Sequence, residues 1–116
     1  MTLPECKEKT AKDFILEYLK KYSIGAENAA SGRKLSSMSG VTPSDIRRVV
    51  NELRSEKHPV CSDSNGYFYA SSVQEIDMTI AHLASRVKQI NKAKDGLYGA
   101  KIIFVSGIDP EGLVGT

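Results

Sequence analysis

Apolar residues fall along this chain in three helical stripes separated by turn-forming residues. Over residues 10–22, Phe14, Ile15, Tyr18, Leu19 and Tyr22 recur with a 3.6-residue period. Thr10 and Asp13 have the spacing of a capping box, and Lys20 and Lys21 suit the negative end of the helix dipole. Residues 42–57 carry a second start signal. Thr42 is placed to cap, Pro43 stands where its missing N–H costs nothing, and Asp45 sits three residues after the cap. Ile46, Val49, Val50 and Leu53 then form one stripe. Between these two helices, residues 23–31 read as a connection. Residues 31–38 read as a short helix that turns Leu35 and Met38 inward. Ser39-Gly40-Val41 predicts a tight turn, with Gly40 left-handed and Val41 as an inward plug.

After residue 57 the period changes. His58-Pro59 ends the helix, because proline disfavours helical backbone in the residue before it. Residues 60–62 and 67–70 are strand-like, and Asn65-Gly66 between them predicts a hairpin with Asn-Gly at the centre of its turn. Ser72 with Glu75 opens a third stripe: Val73, Ile76, Ile80, Leu83, Val87 and Ile90, spaced alternately by three and four. That register predicts a long helix over residues 72–96, whose outer half pairs through Leu83, Val87 and Ile90 with a second copy. Arg86, Lys88 and Lys92 equally suit that half to a phosphate backbone. Gly96, Gly99, Gly107, Gly112 and Gly115 predict no helix beyond residue 96. Residues 97–116 are therefore expected to hold a short β-leaning apolar run at residues 100–105 and a flexible tail. Residues 1–10 are expected to be loose.

Composition narrows the classes. The chain has 116 residues and is 41% apolar, enough for one modest core. Its net charge of +2 is too small to argue for nucleic acid alone. Residues 28–57, however, hold Arg33, Lys34, Arg47, Arg48, Arg54 and Lys57 against Asp45, Glu52 and Glu56. Two cysteines without a spaced motif fit a reducing cytoplasm better than a secreted framework. No apolar run is long enough to cross a membrane, and the N-terminus lacks a signal peptide pattern. No phosphate loop, nucleophile elbow or paired-carboxylate motif points to an enzyme or a cofactor. His58 and Cys61 have one suggestive spacing but lack the second ligand pair that a zinc site needs, so no metal is expected.

The face of residues 42–57 opposite the apolar stripe collects Ser44, Arg48, Asn51 and Ser55, with Arg47 and Arg54 on its flanks. Arginine matches guanine edges, asparagine matches adenine, and serine accepts either. The order of helix, helix, tight turn, helix and hairpin, carried by S-G-V-T-P-S-D-I-R-R-V-V-N-E-L-R (39–54) and H-P-V-C-S-D-S-N-G-Y-F-Y-A (58–70), resembles winged-helix DNA-binding domains. In style it is closest to small proteins of Gram-positive phages and mobile elements. The resemblance implies a mainly α, α+β fold: a winged helix-turn-helix over residues 11–71, with three helices and a two-stranded wing, followed by the long helix. It implies double-stranded DNA as partner, a homodimer, and a role in transcription or replication control. Ser44, Arg48, Asn51 and Ser55 would face the groove, with Arg47 helping. Arg33, Lys34, Arg54 and Lys57 would contact phosphates, and Ser64 and Asn65 would lie at the wing tip. The acidic Asp63 departs from the basic tips common in such wings. The alternative is a winged-helix module that binds protein and not DNA.

Overall fold

The computed structural model describes residues 4–107, and its architecture is mainly helical with one small sheet. In order, the elements are α1 (Pro4–Tyr22), a single 3-10 turn (Ala26–Asn28), α2 (Gly32–Ser39), α3 (Pro43–Ser55), β1 (Val60–Asp63), β2 (Gly66–Tyr69) and α4 (Val73–Ser106). The chain divides into two units, Met1–Ile80 and Ala81–Thr116.

Helix α1 starts at Pro4, so the expected loose segment and the Thr10–Asp13 cap are corrected: both residues lie within the helix. Proline is tolerated in a first turn, and the Glu and Lys residues after it are good helix formers. Its buried side chains are Ala11, Ile15 and Leu19, at i, i+4 and i+8. Phe14 and Tyr22, expected on the inward face, are exposed, and Met38 of α2 is exposed as well. Leu35 is fully buried, and Ser31 caps α2 by accepting from the Lys34 backbone N–H at 3.0 Å. Gly40 ends α2 at φ 77, the left-handed conformation expected of it.

Helix α3 has the capping box its sequence predicts. Thr42 Oγ1 accepts from the Asp45 N–H, and Asp45 Oδ2 accepts from the Thr42 N–H, each at 3.1 Å. These bonds hold the Asp45 carboxyl below its usual pKa, the Thr42 backbone contributing first and the Arg48 charge adding to it. Ile46, Val49, Val50 and Leu53 all reach the core beside Ile15, Leu19, Leu35 and Val60. Each such side chain contributes about 1.5–3 kcal/mol relative to exposure.

Strands β1 and β2 are antiparallel, pairing Val60 with Tyr69 and Asp63 with Gly66. Val60, Tyr67 and Tyr69 share the face toward the core, while Cys61 and Phe68 are buried on the other. The turn is centred on Ser64-Asn65, one residue earlier than expected. Neither residue has positive φ, and Asp63 Oδ1 accepts the Asn65 N–H at 2.8 Å. Gly66 is required for a different reason. The segment before α2 bridges the outer edge of β2 through paired Ala30–Tyr67 backbone bonds of 2.8 Å. A Cβ on Gly66 would lie 2.3 Å from the Ala30 carbonyl oxygen.

The first turns of α4 belong to this unit and are tied down by Glu75 and Thr79. Glu75 accepts from the Ser71 N–H at 2.7 Å and, far away in sequence, from the Ala26 N–H at 2.9 Å. Thr79, the one buried residue of α4, accepts from the Ser62 N–H at 3.4 Å and so occupies the outer edge of β1. The expected stop at residue 96 is corrected: α4 runs 34 residues to Ser106, and residues 100–105 are helical. A helix satisfies its own backbone groups, so this apolar run continues α4 without needing a strand partner. Gly107, at φ 76, does end the helix. The expected flexible tail from residue 108 lies outside the described residues, as do residues 1–3.

Candidate nucleic-acid interface

Helix α3 presents three edges with different chemistry. Its apolar edge is the core stripe. On the side toward α1, Glu52 and Glu56 are drawn to Lys12, whose Nζ lies 3.6 Å from Glu52 Oε1 and hydrogen-bonds Glu56 Oε2. The Glu56 bond, with both carboxylates acting through charge, holds the Lys12 pKa above its usual value despite opposing desolvation. The remaining edge carries Ser44, Arg47, Arg48, Asn51 and Ser55, every one of them exposed. Arg48 pairs with Asp45 at 3.0 Å across one turn, and Arg47 reaches Ser44 Oγ at 3.4 Å. Ser55 donates its hydroxyl to the Asn51 carbonyl at 3.0 Å. No bond to the Asn51 amide group holds it against the helix among those described. The five residues singled out from the sequence thus share one surface.

The flanking residues separate. Arg33 and Lys34 are exposed on α2, where the Lys34 Nζ stands 5.9 Å above the Tyr18 ring. Lys57 is exposed just past α3 and sits at φ 73, a left-handed position where glycine is preferred. The Lys57 and His58 N–H groups close the helix onto the Arg54 and Leu53 carbonyls at 2.9 and 3.0 Å. Arg54 behaves differently from its expected partners. It is half-buried, its Nε donates to the Val60 carbonyl at 2.8 Å, and its second guanidinium nitrogen reaches Ser62 Oγ at 3.1 Å. This side chain fastens β1 to α3 and is not presented to an outside anion. Its position four residues after the buried Val50, at the border of the apolar stripe, was the available signal for that role.

At the hairpin tip Ser64 and Asn65 are exposed, and the Asp63 carboxylate is occupied by the turn it holds. Cys61 is a free buried thiol, its pKa raised chiefly by burial, and His58 is half-buried. No group of three or more His, Cys, Asp or Glu side chains among the described residues is arranged to hold a metal. None of the described helices is long and apolar enough to cross a membrane. Charge is divided unevenly between the units. Residues 1–80 contain 11 Lys or Arg and 11 Asp or Glu, so the surplus of the chain lies beyond residue 80. Compared with protein-family models and with curated proteins, the sequence has no match.

Proposed function

We propose that this chain is a winged-helix protein that binds double-stranded DNA, with α3 as its recognition helix. The observation that carries this reading is the exposed edge of Ser44, Arg47, Arg48, Asn51 and Ser55, from which the Glu52 and Glu56 carboxylates are drawn aside by Lys12. Arg48 and Asn51 read base edges, with Ser44, Arg47 and Ser55 beside them. Arg33, Lys34 and Lys57 hold phosphates, and Ser64 and Asn65 approach the backbone from the hairpin. Lys57 stands exposed just past the C-terminal end of α3. Arg54 keeps the hairpin in register with α3. Leu83, Val87 and Ile90 join two copies into a homodimer. A role in transcription or replication control of a phage or mobile element rests on resemblance alone.

Fluorescence anisotropy with random duplex DNA at two salt concentrations tests the reading. The three phosphate contacts of each protomer give a slope of log K against log salt of about −3 per protomer, and about twice that for the dimer. Arg48→Ala should cost about 1–3 kcal/mol on the preferred site and relax base choice there, whereas Lys34→Ala should weaken all sequences alike and reduce the slope by about 1. The balanced charge of residues 1–80 favours the rival reading, a protein-binding winged helix. Absence of duplex binding at low salt selects that rival.

A further inference from the structure

The part of α4 beyond residue 80 is a helix without a core. None of residues 81–106 is buried, and Val87, Ile90, Leu97, Tyr98, Ile102, Phe104 and Val105 are all more than half exposed. Gly96 and Gly99 lie inside it and lower its intrinsic helix propensity. A helix of this composition holds in water by packing an apolar face against something.

The face has the form of a coiled-coil seam. One column is Val73, Ile80, Val87, Lys94 and Lys101, spaced by seven. The other is Ile76, Leu83, Ile90, Leu97 and Phe104, also spaced by seven. We propose that two copies of α4 pair along this seam in the antiparallel direction. This rests on the homodimer reading above and adds its direction.

Charge sets that direction. In a parallel pair each column meets itself, so Lys94 faces Lys94 and Lys101 faces Lys101 inside the seam. In an antiparallel pair each column meets the other. Each lysine then lies against an apolar residue, with its stem packed and its ammonium reaching water. The ends of the helix agree. Residues 73–85 carry Glu75 and Asp77 and no Lys or Arg, whereas residues 86–101 carry Arg86, Lys88, Lys92, Lys94 and Lys101 against Asp95 alone. In an antiparallel seam centred near Ile90, Lys101 of one copy comes beside the end that carries Glu75 and Asp77 in the other, whereas parallel pairing lays Lys101 on Lys101; the Arg86–Lys94 cluster meets its own copy in either direction. A helix lying on an anionic bilayer would keep apolar residues where Lys94 and Lys101 stand.

Spin labels on the full chain test this, in a Cys6→Ser, Cys61→Ala background, with the mass of each variant measured by sedimentation. A label at Asn91→Cys reports pairing in either direction, and pairing brings it within roughly 20 Å of its mate, given axes about 8–10 Å apart. A label at Ser106→Cys reports direction. In an antiparallel seam centred near Ile90 the two Ser106 labels stand roughly 50 Å apart at ~1.5 Å per residue. A dimer whose Ser106 labels lie as close as those at Asn91 overturns the direction and leaves the dimer standing. A monomer at all concentrations overturns both, while duplex binding by α3 remains separately measurable. Replacing both lysines (Lys94→Leu, Lys101→Leu) should admit a population with close Ser106 labels. A distribution unchanged by that replacement overturns the lysines as the cause.

Discussion

Leu53 and Ile90 are both large aliphatic residues on the apolar stripe of a helix, yet one is fully buried and the other is 66% exposed. The contrast extends to their surroundings. Helix α3 is held by a cap, a core stripe, the Lys12 ion pairs and the Arg54 link to β1, all supplied by its own chain. The outer part of α4 has none of these among the described residues, and only its own backbone bonds and an apolar seam remain. Charge divides the same way, balanced in residues 1–80 and basic over residues 81–107. The same element type is thus held by side chains of its own unit in one case and by its own backbone bonds in the other.

The largest test of that contrast pairs two alanine substitutions. Leu53→Ala should destabilise the compact unit by about 2–5 kcal/mol in denaturant titrations. Ile90→Ala at low protein concentration should stay within about 0.5 kcal/mol while weakening dimer formation in sedimentation. Equal losses for both would abolish the distinction. Next, Gly66→Ala should cost at least about 2 kcal/mol in thermal melts, because φ 137 is unfavourable for alanine and the Ala30 carbonyl occupies its Cβ position. Arg54→Ala should cost about 1–3 kcal/mol. It should also lower amide protection in β1 and leave the salt slope of duplex binding unchanged, which separates a fastening role from a phosphate contact.

A smaller effect is expected from acid. Glu75 is held below its ordinary pKa of 4.5, first by the Ser71 N–H and then by the Ala26 N–H. Its contribution is therefore present above that ordinary value and is lost as pH falls through the lower folded one. Stability should decline as pH falls below that ordinary value, and Glu75→Gln should flatten that decline in pH-dependent melts. The smallest change is a gain. Lys57→Gly should stabilise α3 by about 0.5–1 kcal/mol, and on the DNA-binding reading it should at the same time reduce the salt slope by about 1. A gain in stability with an unchanged slope would remove Lys57 from the interface.

Some of this was readable from short stretches of sequence. The Thr42–Asp45 capping box, the stripe of Ile46, Val49, Val50 and Leu53, the left-handed Gly40 and the exposed edge of α3 each depend on residues a few positions apart, so local spacing suffices to predict them. The hairpin was legible too, although its turn is centred one residue early because Gly66 serves the approach of Ala30 and not the turn itself.

What tertiary structure alone decided involves partners distant in sequence. Lys12 draws Glu52 and Glu56 aside from 40 or more residues away, and Glu75 reaches Ala26 across 49. Arg54 could be counted as a cation from sequence, but only the folded position of β1 turned it into a fastener. Residues 100–105 have strand-like propensity yet continue α4, whose backbone groups bond within the helix and need no strand partner. Sequence by itself determined where α2, α3 and α4 start and which stripe of α3 is apolar, since those follow from backbone geometry over one or two turns, whereas the start of α1 at Pro4 did not. Which polar groups were left to face a ligand was decided by the fold, because that depends on which of them find partners inside it.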